Sequence, residues 1–509
     1  LNLYTRQTDD RGTWYLPTPL NVEGIDANYT QIGPLNRQGT ITYGPNDTTE
    51  SFDFGEGRGW DGHVSGGSIK LDLGNDWQLV DRFNLTKGEA NTFGLVPNGS
   101  ATTIANVADN GESATGAVTG TVYDGDTPIQ QIGRWVVLKD IEAFTNDLAV
   151  SKSWEDFDTS FGIYSASTKA NDWWSIGNTA YHVLQPGGEL LDGIECNTDA
   201  QGCDWNYDIS SVGDASTFAL YATGTWYATT DLSIDLGLRR ENHEVNYSVD
   251  EDLDGKITKA LEYDETKTSW TVGANYALND TSGVFVRMNR GYKMPYFDDF
   301  RDNWGAYTGG NDLIKEVTQG ELGYKFMNDS IQFFATAFAN EVKGDTFVRR
   351  PGAPAEILTN EAYGLELDGR YSHDSGFSLS VNATIQETEI TASANNEGNE
   401  SQRQPGWQVR VTPSYGFDIG DMYATVYGTL SAVDDRFGNN ENTVVLEGYE
   451  KVDVGLTLEP TESLRLQFSV DNLTDEQGIT EGDPRNPDSP NGRYIMPRSM
   501  KLSVSYLFF

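Results

Sequence analysis

Apolar and polar side chains alternate at a period of two in many stretches of this chain. Residues 452–458 place Val452, Val454, Leu456 and Leu458 on one face, with Asp453, Gly455 and Thr457 between them. Residues 464–470 repeat the pattern, with Leu464, Leu466, Phe468 and Val470 set against Arg465, Gln467 and Ser469. The runs 232–238, 377–385 and 407–417 do the same. Each predicts a strand with one apolar and one polar face. The links between runs are of two kinds. Short, turn-rich links fall at 74–76, 228–230, 279–281, 327–329, 373–375, 418–420 and 459–461. Long links fall near 20–61, 94–137, 167–215, 248–265, 292–315, 344–360, 390–406, 433–449 and 474–497. Counting back from Phe509 gives about 18 strands, an even number.

No run of about 18 apolar residues exists, so no transmembrane helix is available. A chain that crosses a membrane with strands must close them into a barrel, because lipid satisfies no open sheet edge. Short turns at one end and long loops at the other match an outer-membrane barrel with periplasmic turns and extracellular loops. We therefore expect 1–509 to form an all-β, transmembrane, antiparallel outer-membrane β-barrel of a Gram-negative bacterium. Membrane lipid and lipopolysaccharide would surround it. The last strand, 499–509, ends on Phe509, which is similar to the signal that barrel-assembly machinery reads on its clients.

Composition agrees with a turn-rich all-β chain. Aromatic residues are 12 % and glycines number 54, while hydrophobic residues are only 37 %. The net charge of −42 excludes nucleic-acid binding, which needs a basic surface. It implies either hydrated, mutually repelling loops or an exterior that gathers divalent cations. Cys196 and Cys203, in CNTDAQGC, suggest a local disulfide in an exported loop, with a metal pair as the alternative. The four histidines are too scattered for a zinc site. The chain opens at Leu1 without Met or signal peptide, and we expect a processed or incomplete amino terminus.

Three stretches resemble TonB-dependent outer-membrane receptors. The first is Asn289-Arg290-Gly291-Tyr292-Lys293-Met294-Pro295 with Phe297-Asp298-Asp299-Phe300. The second is Leu313-Ile314-Lys315-Glu316 followed by Glu321-Leu322-Gly323-Tyr324-Lys325. The third is Val470-Asp471-Asn472-Leu473-Thr474-Asp475, then Pro497-Arg498 before the final strand. The resemblance covers the barrel alone. It implies a barrel of about 22 strands plugged by an amino-terminal domain. No plug-like segment or energy-coupling box is found, so either the sequence is a fragment or the barrel is smaller and unplugged. Contact with the TonB complex would lie in a plug that this chain does not contain.

The resemblance implies active uptake of a scarce small-molecule nutrient, an oligosaccharide or a metal chelate. A passive diffusion porin and a surface adhesion barrel with acidic loops are the alternatives. No catalytic constellation is apparent, so no enzymatic role is expected. Trp173, Trp174, Trp205 and Tyr207 fall in the longest link, and Tyr296, Arg301, Trp304 and Tyr307 in another. Such aromatics either stack on a sugar ring or pack the loops and girdle together. Asp250, Asp252 and Asp254 precede Gly255 at the spacing of a calcium loop, but position twelve is Leu261, and a solvated acidic loop is the alternative. Scarce histidine disfavours haem, and an acidic exterior disfavours a strongly anionic ligand, leaving a neutral sugar or a chelate of low charge. No cofactor is expected beyond that calcium ion.

Overall fold

The computed structural model describes residues 1–108, 113–192, 194, 206–348, 353–483 and 490–508. The first half of the wall comprises β1 (Asn2–Gly12), β2 (Arg58–Gly74), β3 (Trp77–Pro97), β4 (Pro128–Ser153), β5 (Phe157–Val183), β6 (Tyr207–Tyr227), β7 (Leu232–Glu251), β8 (Lys259–Asn279) and β9 (Ser282–Lys293). Helices α1 (Phe297–Asp302) and α2 (Trp304–Thr308) follow. The second half comprises β10 (Lys315–Met327), β11 (Ile331–Phe347), β12 (Glu356–Ser372), β13 (Phe377–Ala392), β14 (Trp407–Ile419), β15 (Met422–Val433), β16 (Tyr449–Thr461), β17 (Leu464–Asp471) and β18 (Ser499–Tyr506).

Each strand pairs antiparallel with the next, from β1–β2 and β3–β4 through β7–β8 to β17–β18. Among the described residues no ladder runs between β1 and β18. The five alternating runs read from the sequence fall inside β7, β13, β14, β16 and β17.

The apolar faces are bare. On β7, Leu236 and Leu238 are 52 % and 55 % exposed, and on β18 Met500, Leu502 and Val504 are exposed as well. Water would not tolerate such a continuous band, so it is the lipid-facing side. On β8 the band runs from Trp270 to Leu278. That is about 27 Å along the strand, or about 20 Å once tilted by roughly 40°. The opposite face is polar at the same height. There Asp235 accepts from Thr225 at 2.7 Å and from Asn275 at 3.2 Å, and Lys325 donates to Asn275 at 2.9 Å. A hydrogen-bonded row thus crosses β6, β7, β8 and β10 on the face away from lipid.

Several strands run past the band. β4 and β5 have 26 and 27 residues, so strand occupies the edges of the links read as 94–137 and 167–215. Beyond the band the polarity inverts. On β7 the outward row continues as Arg240, Asn242, Glu244 and Asn246, while inward Val245, Tyr247 and Val249 are buried. The outward face has left lipid for water, and the inward face has met a folded cap. The sequence pattern missed these extensions because an outward polar residue no longer marks a strand against lipid.

Candidate functional site

The cap is built on the link between β9 and β10. Phe297 and Phe300 of α1 join Met294, Leu313 and Ile314 in a buried cluster with Ile209, Val245, Tyr247, Val249 and Tyr263 of the wall. Burying each such side chain contributes about 1.5–3 kcal/mol. Gly213 admits the approach, since a Cβ there would lie 2.3 Å from the Phe297 ring. The main-chain N–H of Tyr296 donates to Asp299 at 3.0 Å and starts the helix. His243 sits at the base of the cap. Its Nδ1 is 2.8 Å from the Thr217 hydroxyl and its Nε2 is 2.9 Å from the Pro295 carbonyl. Burial lowers its pKa, and the bond to Pro295 works the other way.

Arg301 fixes α1 to the wall. Its side chain is only 6 % exposed, and it donates to Asp298 at 2.7 Å and to Asp302 at 2.8 and 2.9 Å. The guanidinium lies 3.9 Å from the Trp174 ring centroid. Lys139 reaches Asp172 and Asp298, each at 2.9 Å. Burial pushes the Asp172 carboxyl above its usual range, against the pull of Lys139. Burial acts the same way on Asp298, but Arg301 and Lys139 outweigh it and hold that carboxyl low.

The sequence candidates therefore divide. Trp174, Tyr207, Tyr296, Arg301, Trp304 and Tyr307 come together around the cap, with Phe300 and Tyr307 edge to face at 5.2 Å. Tyr207 is pushed up to about 12 by burial. Trp173 lies on β5 and points to the other face, meeting Tyr43 of the hairpin 38–53 at 5.0 Å. Both tryptophans stand in a strand rather than a loop, for the reason given above. Trp205, Cys196, Cys203 and Phe509 lie outside the described residues. Near the end of β7, Asp250 accepts from the main-chain N–H groups of Asp254 and Gly255 in the turn that follows, where Asp254 pairs with Lys256. Asp252 stands at φ +69° in the same turn. Among the described residues no group of three His, Cys, Asp or Glu is placed to hold a metal ion.

A second grouping had no signal in the sequence. Arg58, Arg403, Arg436 and Arg493 meet around the strand Ile479–Gly482 at the long-link end, beside Glu481. The arginines come from four separate segments, so no spacing rule connects them.

A family model described as "TonB dependent receptor-like, beta-barrel" matches residues 2–473. The Pesticin receptors of Yersinia enterocolitica and Yersinia pestis are 24 % identical over 320 residues, covering 59 % of this chain and 45 % of theirs. The chain thus spans about half the length of the curated relatives it matches. Among solved structures it is similar to the ferric yersiniabactin uptake receptor FyuA from Yersinia pestis, with a TM-score of 0.62 at 15 % identity, covering 100 % of this chain and 76 % of that one. It is similar also to the siderophore receptor PiuA from Acinetobacter baumannii, with a TM-score of 0.65 at 14 % identity, covering 99 % of this chain and 71 % of that one.

Proposed function

The chain belongs to the TonB-dependent receptor-like β-barrel family of the Gram-negative outer membrane, and from that premise we propose that it is the wall of a transporter importing a scarce metal chelate with energy delivered through TonB. The family is one of receptors and transporters rather than of enzymes. The observation that carries the reading is the inversion of polarity along β7. A bare apolar band for lipid lies below, a polar lumen lies behind it, and an apolar cap fills part of the mouth above. The long links face the cell exterior and the short turns face the periplasm. A capped lumen suits capture followed by gated release better than free diffusion. Metal chelate is favoured over oligosaccharide because FyuA is a ferric yersiniabactin uptake receptor and PiuA a siderophore receptor by name. In this reading the cap aromatics Trp174, Trp304 and Tyr307 shape the outer vestibule beside the 294–314 link.

The test is accumulation of radiolabelled iron chelates by cells that carry or lack the gene. Uptake that needs the gene and stops when a protonophore collapses the proton-motive force is the expected result. Gene-dependent uptake that survives the protonophore would mean passive diffusion and refute the reading.

A further inference from the structure

Among the described residues, the ion pairs within the arginine group at the mouth all converge on one carboxylate. Arg403 Nη1 and Arg493 Nη2 each donate to the single carboxylate of Glu481, both at 2.9 Å. Arg436 is a structural tie: it is buried and donates to the carbonyls of Ile479 at 2.6 Å and Thr480 at 3.3 Å. Arg58 makes no ion pair among the described residues. It stands on the inward face of β2 with its guanidinium 4.4 Å from the Trp14 ring centroid. Burial, and next the charge of Arg493, lower the Arg58 pKa, while Glu481 raises it, so the three groups share one electrostatic neighbourhood. Setting Arg436 aside, three guanidiniums face one described carboxylate, an excess of two positive charges in a chain whose net charge is −42.

Two further observations mark the group as unfinished. The Nε atoms of Arg403 and Arg493 are buried without a hydrogen-bond partner among the described residues. Buried N–H groups of guanidinium are costly to leave unmade. Arg403 also holds φ +63°, a left-handed conformation that a long side chain rarely adopts, and its N–H is anchored to the Phe437 carbonyl at 2.6 Å. Strain of that kind persists where a site needs a side chain aimed in one direction.

We propose that Arg58, Arg403 and Arg493, beside Trp14, form an anion-binding subsite that takes the oxyanion groups of a negatively charged metal chelate. The proposal rests on the chelate-uptake reading and adds the charge of the cargo. The planar forks of arginine match carboxylate oxygens two at a time. This replaces the expectation that an acidic chain turns anions away. Charges on the outer loops are screened beyond about 8 Å in physiological salt, so the local group decides once the ligand has entered.

The test uses the purified full chain in detergent with two probes, the anionic iron(III) citrate complex and a neutral iron(III) trihydroxamate. Binding is read by titration calorimetry at several salt concentrations. R403Q and R493Q are each expected to weaken the citrate complex about tenfold and flatten its salt dependence, and to leave the trihydroxamate unchanged. E481Q is expected to strengthen the citrate complex, because it frees two guanidiniums. Unchanged citrate affinity in the arginine variants, or weaker binding in E481Q as the loss of a loop tie would give, overturns the subsite. Folding is checked by heat-modifiable gel mobility. Should R493Q misfold, R58Q, which breaks no ion pair, carries the same expectation. Radiolabelled iron uptake in the same cells separates the two readings. Energised uptake of the trihydroxamate alongside indifferent arginine variants defeats the subsite alone. No energised uptake of either chelate defeats the transport reading and the subsite with it.

Discussion

Three substitutions on β7 test the polarity inversion, each placing an arginine where the surroundings differ. Leu236 lies within the bare band, 52 % exposed on the outward face. An arginine there enters hydrocarbon, at a cost of about 2–4 kcal/mol near the bilayer midplane. Asn242 lies on the same face six residues higher, about 20 Å along the strand. An arginine there is in water or head groups and costs about 0–1 kcal/mol. Val245 faces inward and is 1 % exposed in the cap cluster. Replacing it loses about 1.5–3 kcal/mol of burial and adds the several kcal/mol of an unpaired buried ion, so roughly 4 kcal/mol or more is expected. A lumen that is polar throughout would charge almost nothing for the same change. The assay is urea unfolding of the chain in phosphocholine vesicles, followed by tryptophan fluorescence, with stability differences taken from midpoints at constant slope. Amide exchange across 297–308 reports whether the cap loosens separately. If N242R costs as much as L236R, or V245R matches the parent by both readouts, the inversion is refuted.

The remaining expectations concern the cap and the turn after β7. R301Q removes a buried guanidinium from Asp298, Asp302 and Trp174, and should destabilise the 297–308 segment by about 3–5 kcal/mol, seen as faster amide exchange there; unchanged exchange would show that Arg301 does not hold the helix. The folded pKa of His243 lies below its unfolded value, so its contribution is whole above the unfolded pKa of about 6.5 and is lost as pH falls from there toward the folded value. Cap exchange, taken relative to the intrinsic amide rate at each pH, should therefore quicken as pH falls below about 6.5, and H243Q should flatten that profile; a flat parental profile on the same scale would count against it. Because Asp250 and Asp254 are satisfied by main-chain N–H groups and Lys256, calcium at millimolar levels should leave the thermal midpoint unmoved. A calcium-dependent rise that is lost in D250N would show a site there after all.

The sequence by itself determined the staves. Leu232, Ile234, Leu236 and Leu238 read as one lipid-facing row because lipid rewards an apolar residue at every second position, whatever the rest of the chain does. The turns at 74–76 and 373–375 were equally legible, since Asn, Asp and Gly favour tight reversals locally. The resemblance carried by 289–300 and 313–325 pointed to the family later found to span residues 2–473. Where the strands stop was not legible. β5 runs on to Val183 with polar outward residues, and nothing local distinguishes those from a loop. Tertiary structure alone decided what fills the mouth. Val245 and Tyr247 look like lipid-facing residues in the wrong register until α1 folds back against them from some fifty residues away. The same holds for Trp174, which is a packing partner because Arg301 lands on it, and for Arg58, Arg403 and Arg493, which segments far apart in the chain bring to the same end. Contact with lipid is a property of each residue, but contact across the mouth depends on where distant segments end up.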